Sequence, residues 1–189
     1  MSSKKNGIVY IVTNSLPPQE TCEGLRATVD GVTGTPGNDV IIGTSGPDVI
    51  VGGGGNDIIC ARGGADVIDG GSGADRINAG WGSDVVRGGD GNDVIWGGPG
   101  FDNLEGGGGD DLIRGGKGGD RIVGNGVDDE LYGGAHRDRL FGYAGNDQLF
   151  GGDGEDNLGG GAGINAAKGG AGVDRCVSAT TRVGCERSV

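Results

Sequence analysis

Residues 88 to 96 read GGDGNDVIW, and residues 115 to 123 read GGKGGDRIV. Each is a nonad with glycine at positions one, two and four, aspartate at six and isoleucine at eight, and the two lie a whole number of nines apart. Carried outward, that frame divides the chain from Gly34 to Val177 into sixteen nonads with no insertion or deletion. Position six reads Asp39, Asp48, Asp57, Asp66, Asp75, Asp84, Asp93, Asp102, Asp111, Asp120, Asp129, Asp138, Asp147, Asp156, Asn165 and Asp174. Position eight is aliphatic from Ile41 through Ile50, Ile59, Ile68 and Ile77 to Leu158, then weakens to Ala167 and Cys176. An aliphatic column in fixed register with a carboxylate column, at a period of nine, is the mark of a stacked repeat.

Composition narrows the alternatives. Of 189 residues, 49 are glycine and only 4% are aromatic, which argues against a layered enzyme core. Collagen needs a period of three and a flexible linker needs none, so neither accounts for the glycine. The formal charge is −12, which disfavours nucleic acid and anionic membranes as partners. Removing the column aspartates leaves 12 acidic residues against 15 basic ones, so the acidity belongs to the repeat and not to a generally acidic surface. No apolar run approaches the roughly 20 residues of a spanning helix. The stretch from Ile8 to Val12 is too short for the core of a signal peptide, and none is evident in this chain.

With glycine at positions one, two and four, the unit resembles the GGxGxDxUx repeat of RTX calcium-binding proteins, a known sequence signature of calcium-binding parallel β-helices. The resemblance covers residues 34 to 177 and implies an all-β fold: a right-handed parallel β-roll, or β-solenoid, of two facing parallel sheets. Two nonads make one eighteen-residue coil, and the sixteen nonads make about eight coils. It further implies a turn from the first six residues of each nonad and a short strand from the last three. The residues suit that geometry. Glycine accepts the positive φ of tight turns, and in a strand position eight faces inward while seven and nine face outward. Those outer positions carry Arg76, Arg121, Glu130, Arg139 and Gln148, and Asp69, Arg87, Glu105 and Lys168.

Residues two nonads apart then stack, about 4.8 Å from rung to rung. Two ionised carboxylates at about 5 Å repel by roughly 3 kcal/mol at an effective dielectric of 20. A divalent cation between coils reverses that sign, and Ca²⁺ suits an irregular cage of six to eight oxygens better than Mg²⁺ does. Zinc needs nitrogen or sulfur ligands that one histidine cannot supply in an array. The fifteen column aspartates are therefore the candidate metal ligands, in two stacks with at most 14 inter-coil sites. Asn165 removes a carboxylate from the site shared with Asp147, and Val127 and His136 replace the position-four glycine, so the sites around Asp129 and Asp138 are expected to be the weakest internal ones. His136 reads as a turn substitution, against the alternatives of metal ligand or catalytic base. With one aliphatic residue per nonad the core is thin, and folding is expected to be coupled to calcium.

Residues 1 to 33 read as an N-terminal cap with a degenerate half-coil at Asp30 and Val32, and residues 178 to 189 as a C-terminal cap. The segment Ile8 to Val12 is expected to pack on the apolar outer residues Val40, Ile42, Ile58 and Cys60. Four cysteines allow three connectivities, and the expected one is Cys22–Cys60 with Cys176–Cys185. Such staples belong to an oxidising, extracellular setting, and terminal cysteines resemble the secreted actinobacterial style of RTX protein. Trp96, Arg114, Tyr132 and Phe150 follow one another at intervals of two nonads on an outer face, where they serve either as a carbohydrate or protein contact surface or as cross-strand support. The leading expectation is a secreted calcium-binding structural module without catalysis. The alternatives are a surface adhesin or ligand-binding roll, and the calcium-binding tail of a larger secreted enzyme; no GxSxG or HExxH motif occurs.

Overall fold

The structure, a computed structural model, describes residues 32–185. The described chain is all β, with no helix, and winds as a solenoid of two parallel nine-stranded sheets. The first sheet runs from Val32–Thr33 through Val49–Gly54, Val67–Ser72 and every second strand thereafter to Arg175–Val177, and the second from Val40–Ile42 through Ile58–Cys60 and Arg76–Asn78 to Thr181–Val183. Successive strands of the chain alternate between sheets. Within a sheet, partners lie two nonads apart, as in Ile50↔Ile68 and Ile113↔Leu131. The last pair, Ala167↔Arg182, is more closely spaced, because the nonad pattern has ended.

The side-chain alternation builds the core. Position eight points inward and is no more than 3% exposed from Ile41 to Cys176, forming one continuous cluster down the axis. Position one, two residues on, also points inward, and its glycines let the two sheets approach. Gly52 illustrates the fit: a Cβ there would lie 2.3 Å from the carbonyl oxygen of Gly70 in the next coil.

The strands are longer than the three residues expected. From Val94–Pro99 onward most run six residues, from position seven of one nonad to position three of the next, as in Leu112–Lys117 and Gln148–Asp153. The ladder continues through the paired glycines because their backbone groups bond across coils, with Gly116↔Gly134 in register. The turn shrinks to positions four to six. This backbone template overrides residue preference: Arg62, Asn125 and Tyr143 at position two, and Val127 and His136 at position four, all adopt positive φ.

At the C-terminal end Cys176 and Cys185 form a disulfide, as expected. Cys176 is fully buried, and Cys185 packs against the end of the core cluster. Ile42 is buried on the outer side of the second sheet against Val40, Ile58 and Cys60. Cys60 is itself disulfide-bonded. The expectations for Cys22 and for Ile8 to Val12 lie outside the described residues.

Candidate metal centre

Each position-six side chain closes the turn and points between the sheets, so every member from Asp39 to Asp174 is at most 6% exposed. The two carboxylate oxygens have different fates. Oδ1 accepts the backbone N–H of the aspartate one coil earlier: Asp39 donates to Asp57 at 2.8 Å, Asp93 to Asp111 at 2.8 Å and Asp156 to Asp174 at 2.9 Å. Oδ2 of the same residues has no partner. It is buried and unsatisfied at Asp57, Asp66, Asp75, Asp84, Asp93, Asp102, Asp111, Asp120, Asp129, Asp138, Asp147, Asp156 and Asp174. Native interiors satisfy nearly all buried polar atoms, so thirteen such oxygens of one atom type in two columns have the chemistry to hold a common cationic partner.

The orphaned oxygen lies against position one of its own nonad. A Cβ on Gly106 would fall 2.1 Å from Oδ2 of Asp111, and one on Gly124 2.0 Å from Oδ2 of Asp129. Glycine here keeps space open beside Oδ2, and the only replacements at position one are the small Ala61 and Ala79, beside which Oδ2 of Asp66 and Asp84 is still unpartnered. Among the described residues no three histidine, cysteine, aspartate or glutamate side chains converge. Any cage must therefore be completed by backbone oxygens, which a hard, oxygen-seeking cation of flexible coordination accepts.

Burial makes these carboxylates poor acids. It pushes Asp57, Asp93, Asp102, Asp111, Asp129 and Asp138 up to about 7, and Asp66 and Asp120 to about 6. Asp75, Asp84, Asp147 and Asp156 are raised for the same first reason. The backbone N–H that each accepts works against the shift, while stacked neighbours such as Asp39 and Asp75 around Asp57 add to it. Such a column demands either protons or cations.

The stack ends differ from the middle, although Oδ1 of Asp39 and Oδ2 of Asp174 stay without a partner. Asp39 and Asp48 differ from the other aspartates, because the Thr35 hydroxyl reaches Oδ2 of Asp39 at 2.9 Å and the Thr44 backbone N–H reaches Oδ2 of Asp48 at 2.7 Å. At the other end Asn165 keeps the shared role, accepting the N–H of Asp147 at 2.8 Å, while its Nδ2 donates to the Ser178 carbonyl at 3.4 Å. The amide leaves no orphan. Threonine at position two of only the first nonad in each stack was the signal for the N-terminal difference, and it is legible only once Oδ2 is placed.

The sites around Asp129 and Asp138, expected from the sequence to be the weakest internal ones, carry Val127 and His136 in their turns. Both residues take up the positive φ of the glycine they replace, and Asp129 and Asp138 stay buried with Oδ2 open. The His136 ring meets the carbonyl of Ala135 with Nδ1 at 2.7 Å and lies exposed in the turn. On the outer face of the second sheet, Tyr132 and Phe150 stack at 4.6 Å and 9°, Arg114 lies 5.1 Å from the Tyr132 ring, and Arg76 covers Trp96 at 5.3 Å.

A second ladder escaped sequence reading. On the edge that carries Asp57, position five is mostly Asn or Asp, and its Oδ1 takes the N–H one coil on: Asn38 from Asn56, Asn92 from Asp110, Asp110 from Asp128 and Asp128 from Asn146, at 2.7–3.2 Å. The other edge, which carries Asp66, has no such run.

Comparison with known proteins agrees with this geometry. The family model for the RTX calcium-binding nonapeptide repeat matches in four copies, at residues 33–68, 61–95, 96–131 and 132–167. No curated protein matches the chain. With repeat, fold and orphaned carboxylate columns all in the same register, the chain belongs to the RTX calcium-binding nonapeptide repeat family.

Proposed function

We propose that this chain is a secreted structural module that folds and stiffens on cooperative Ca²⁺ binding between its stacked turns. The observation that carries this reading is the set of thirteen buried, unpartnered Oδ2 atoms. Each of these aspartates, together with backbone oxygens of its own and the adjoining turn, holds a calcium ion. Asp48, both of whose oxygens meet Thr44, binds more weakly or not at all, whereas Asp39 has Thr35 on Oδ2 and keeps its buried Oδ1 without a partner. Bound calcium supplies the positive charge that lets ionised carboxylates remain buried. The chain's own residues supply register, burial and exclusion of water. The module acts by binding and rigidity, not catalysis, and the Cys176–Cys185 disulfide supports an extracellular, oxidising setting where calcium is plentiful.

The aromatic and arginine ladder is best read as support for the narrow sheet. Tyr132, Phe150 and Arg114 spend their faces on one another, which leaves less for a carbohydrate or a protein.

Calcium titration followed by far-ultraviolet circular dichroism, with ion stoichiometry from calorimetry, tests the proposal. The expected result is a cooperative rise in β signal and at most about thirteen ions per chain. A spectrum that is the same in chelator and in calcium would refute it.

A further inference from the structure

The two edges of the roll are chemically opposite at the same height. On the Asp66 edge, Gly119 stands at position five between Phe101 one coil below and Arg137 one coil above. Its missing side chain leaves a notch two rungs tall, about 10 Å, within a cavity of about 640 Å³. The Phe101 ring, 72% exposed, leans into it, with Cδ1 and Cε1 3.6 Å from where a Gly119 Cβ would sit, and the Arg137 carbonyl oxygen bounds it at 2.9 Å, so a side chain placed there also shifts that backbone slightly. Lys117, Arg121, Arg137 and Arg139 surround the notch. Arg121 and Arg139 are direct cross-strand neighbours, an unfavourable like-charge pair. The Arg121 side chain donates to the neutral Asn103 at 2.9 Å, while the side chains of Lys117, Arg137 and Arg139 have no hydrogen bond or ion pair to any described residue. In a chain of net charge −12, four cations without a paired carboxylate are an anomaly.

The Asp57 edge of the same two coils carries the complement. Asp110 and Asp128 are exposed, and Val127 projects beside them, 50% exposed, from a turn that holds it at φ 130°. An exposed β-branched residue kept in a glycine conformation is a strained one. It makes an apolar knob flanked by carboxylates, half a coil from the level of an apolar notch flanked by cations.

We propose that calcium-loaded copies of this chain associate edge to edge, with Val127 of one copy entering the Gly119 notch over Phe101 of the next, and with Asp110 and Asp128 meeting Lys117, Arg137 and Arg139. The contact is heterologous, because knob and notch lie on opposite edges, so it propagates side by side instead of closing as a dimer. It rests on the calcium-folded roll proposed above.

Sedimentation velocity on the calcium-loaded chain, with circular dichroism on the same samples, tests this. Oligomers that grow with protein concentration in about 20 mM salt and dissociate in about 0.5 M salt are expected. Gly119→Gln fills the notch, and Val127→Gly removes the knob; each weakens association at least tenfold while the calcium-induced spectrum persists. A carboxylate-edge variant, Asp110→Asn with Asp128→Asn, keeps the Oδ1 acceptors of its ladder. A cation-edge variant carries Lys117→Gln with Arg137→Gln. Each is expected to be monomeric alone, and their mixture to stop at a one-to-one pair. A monomer at every concentration in low salt, or oligomers indifferent to both Gly119→Gln and Val127→Gly, would overturn the proposal. A chain that shows no calcium-induced spectrum would instead fail the reading on which it rests.

Discussion

Asp111→Asn separates the two roles of a column carboxylate, because it changes one oxygen and keeps the other. Asp111 sits in mid-column, 3% exposed, with Oδ1 accepting the N–H of Asp93 at 2.8 Å and Oδ2 unpartnered. The amide retains Oδ1 and replaces Oδ2 by a donor, the arrangement already present at Asn165. In chelator the substitution removes a buried unsatisfied acceptor, a gain of about 1–3 kcal/mol for the metal-free roll. In calcium it removes a ligand, and a site lost when free ion is a thousandfold above its dissociation constant costs about 4.1 kcal/mol. The balance in calcium is then a loss of about 1–3 kcal/mol, or a melting temperature lower by about 2–12 °C for a chain of this length. The effect changes sign with the metal. Two measurements read it: refolding driven by trimethylamine N-oxide in chelator at pH 7.5, whose midpoint falls in the variant, and thermal melting in saturating calcium, whose midpoint falls too. A variant destabilised in both solutions, or stabilised in both, would refute the assignment of Oδ2 to the ion.

Two further outcomes are expected. The raised carboxylates give the metal-free roll more bound protons than the unfolded chain, whose aspartates titrate near 3.9. Its stability is therefore fully present below about pH 4 and is lost as pH rises through about 6 to 7, so circular dichroism in chelator should show a roll at pH 4 that melts out by pH 8. A metal-free spectrum more ordered at pH 8 than at pH 4 would contradict this. Val127→Gly relieves a β-branched residue at φ 130° and should raise the stability of the calcium-loaded monomer, measured by urea melting in high salt, by about 1–3 kcal/mol; an unchanged or lowered midpoint would show that the turn bears no strain.

The period of nine, read from residues such as Gly88 to Trp96, was enough to set the coil, the alternation of strands between two sheets and the inward column from Ile41 to Cys176. Identical local units stacked in register leave few arrangements that bury every aliphatic residue at once, so a one-dimensional pattern carries over into a nearly one-dimensional fold. The same logic located the carboxylate columns and the Cys176–Cys185 staple. Strand length did not follow, since whether the paired glycines belong to the turn or to the ladder depends on hydrogen bonds made to the next coil. Nor did the division of labour within each carboxylate. That Oδ1 is spent on an N–H one coil earlier, and that Val127 and His136 yield to the backbone, are matters of contact between coils, and their partners are chosen in space. The facing chemistry of Gly119 and Val127 is of the same kind: two ordinary substitutions in a string, placed on opposite edges at nearly equal height because winding converts a half-coil of sequence into the width of the roll.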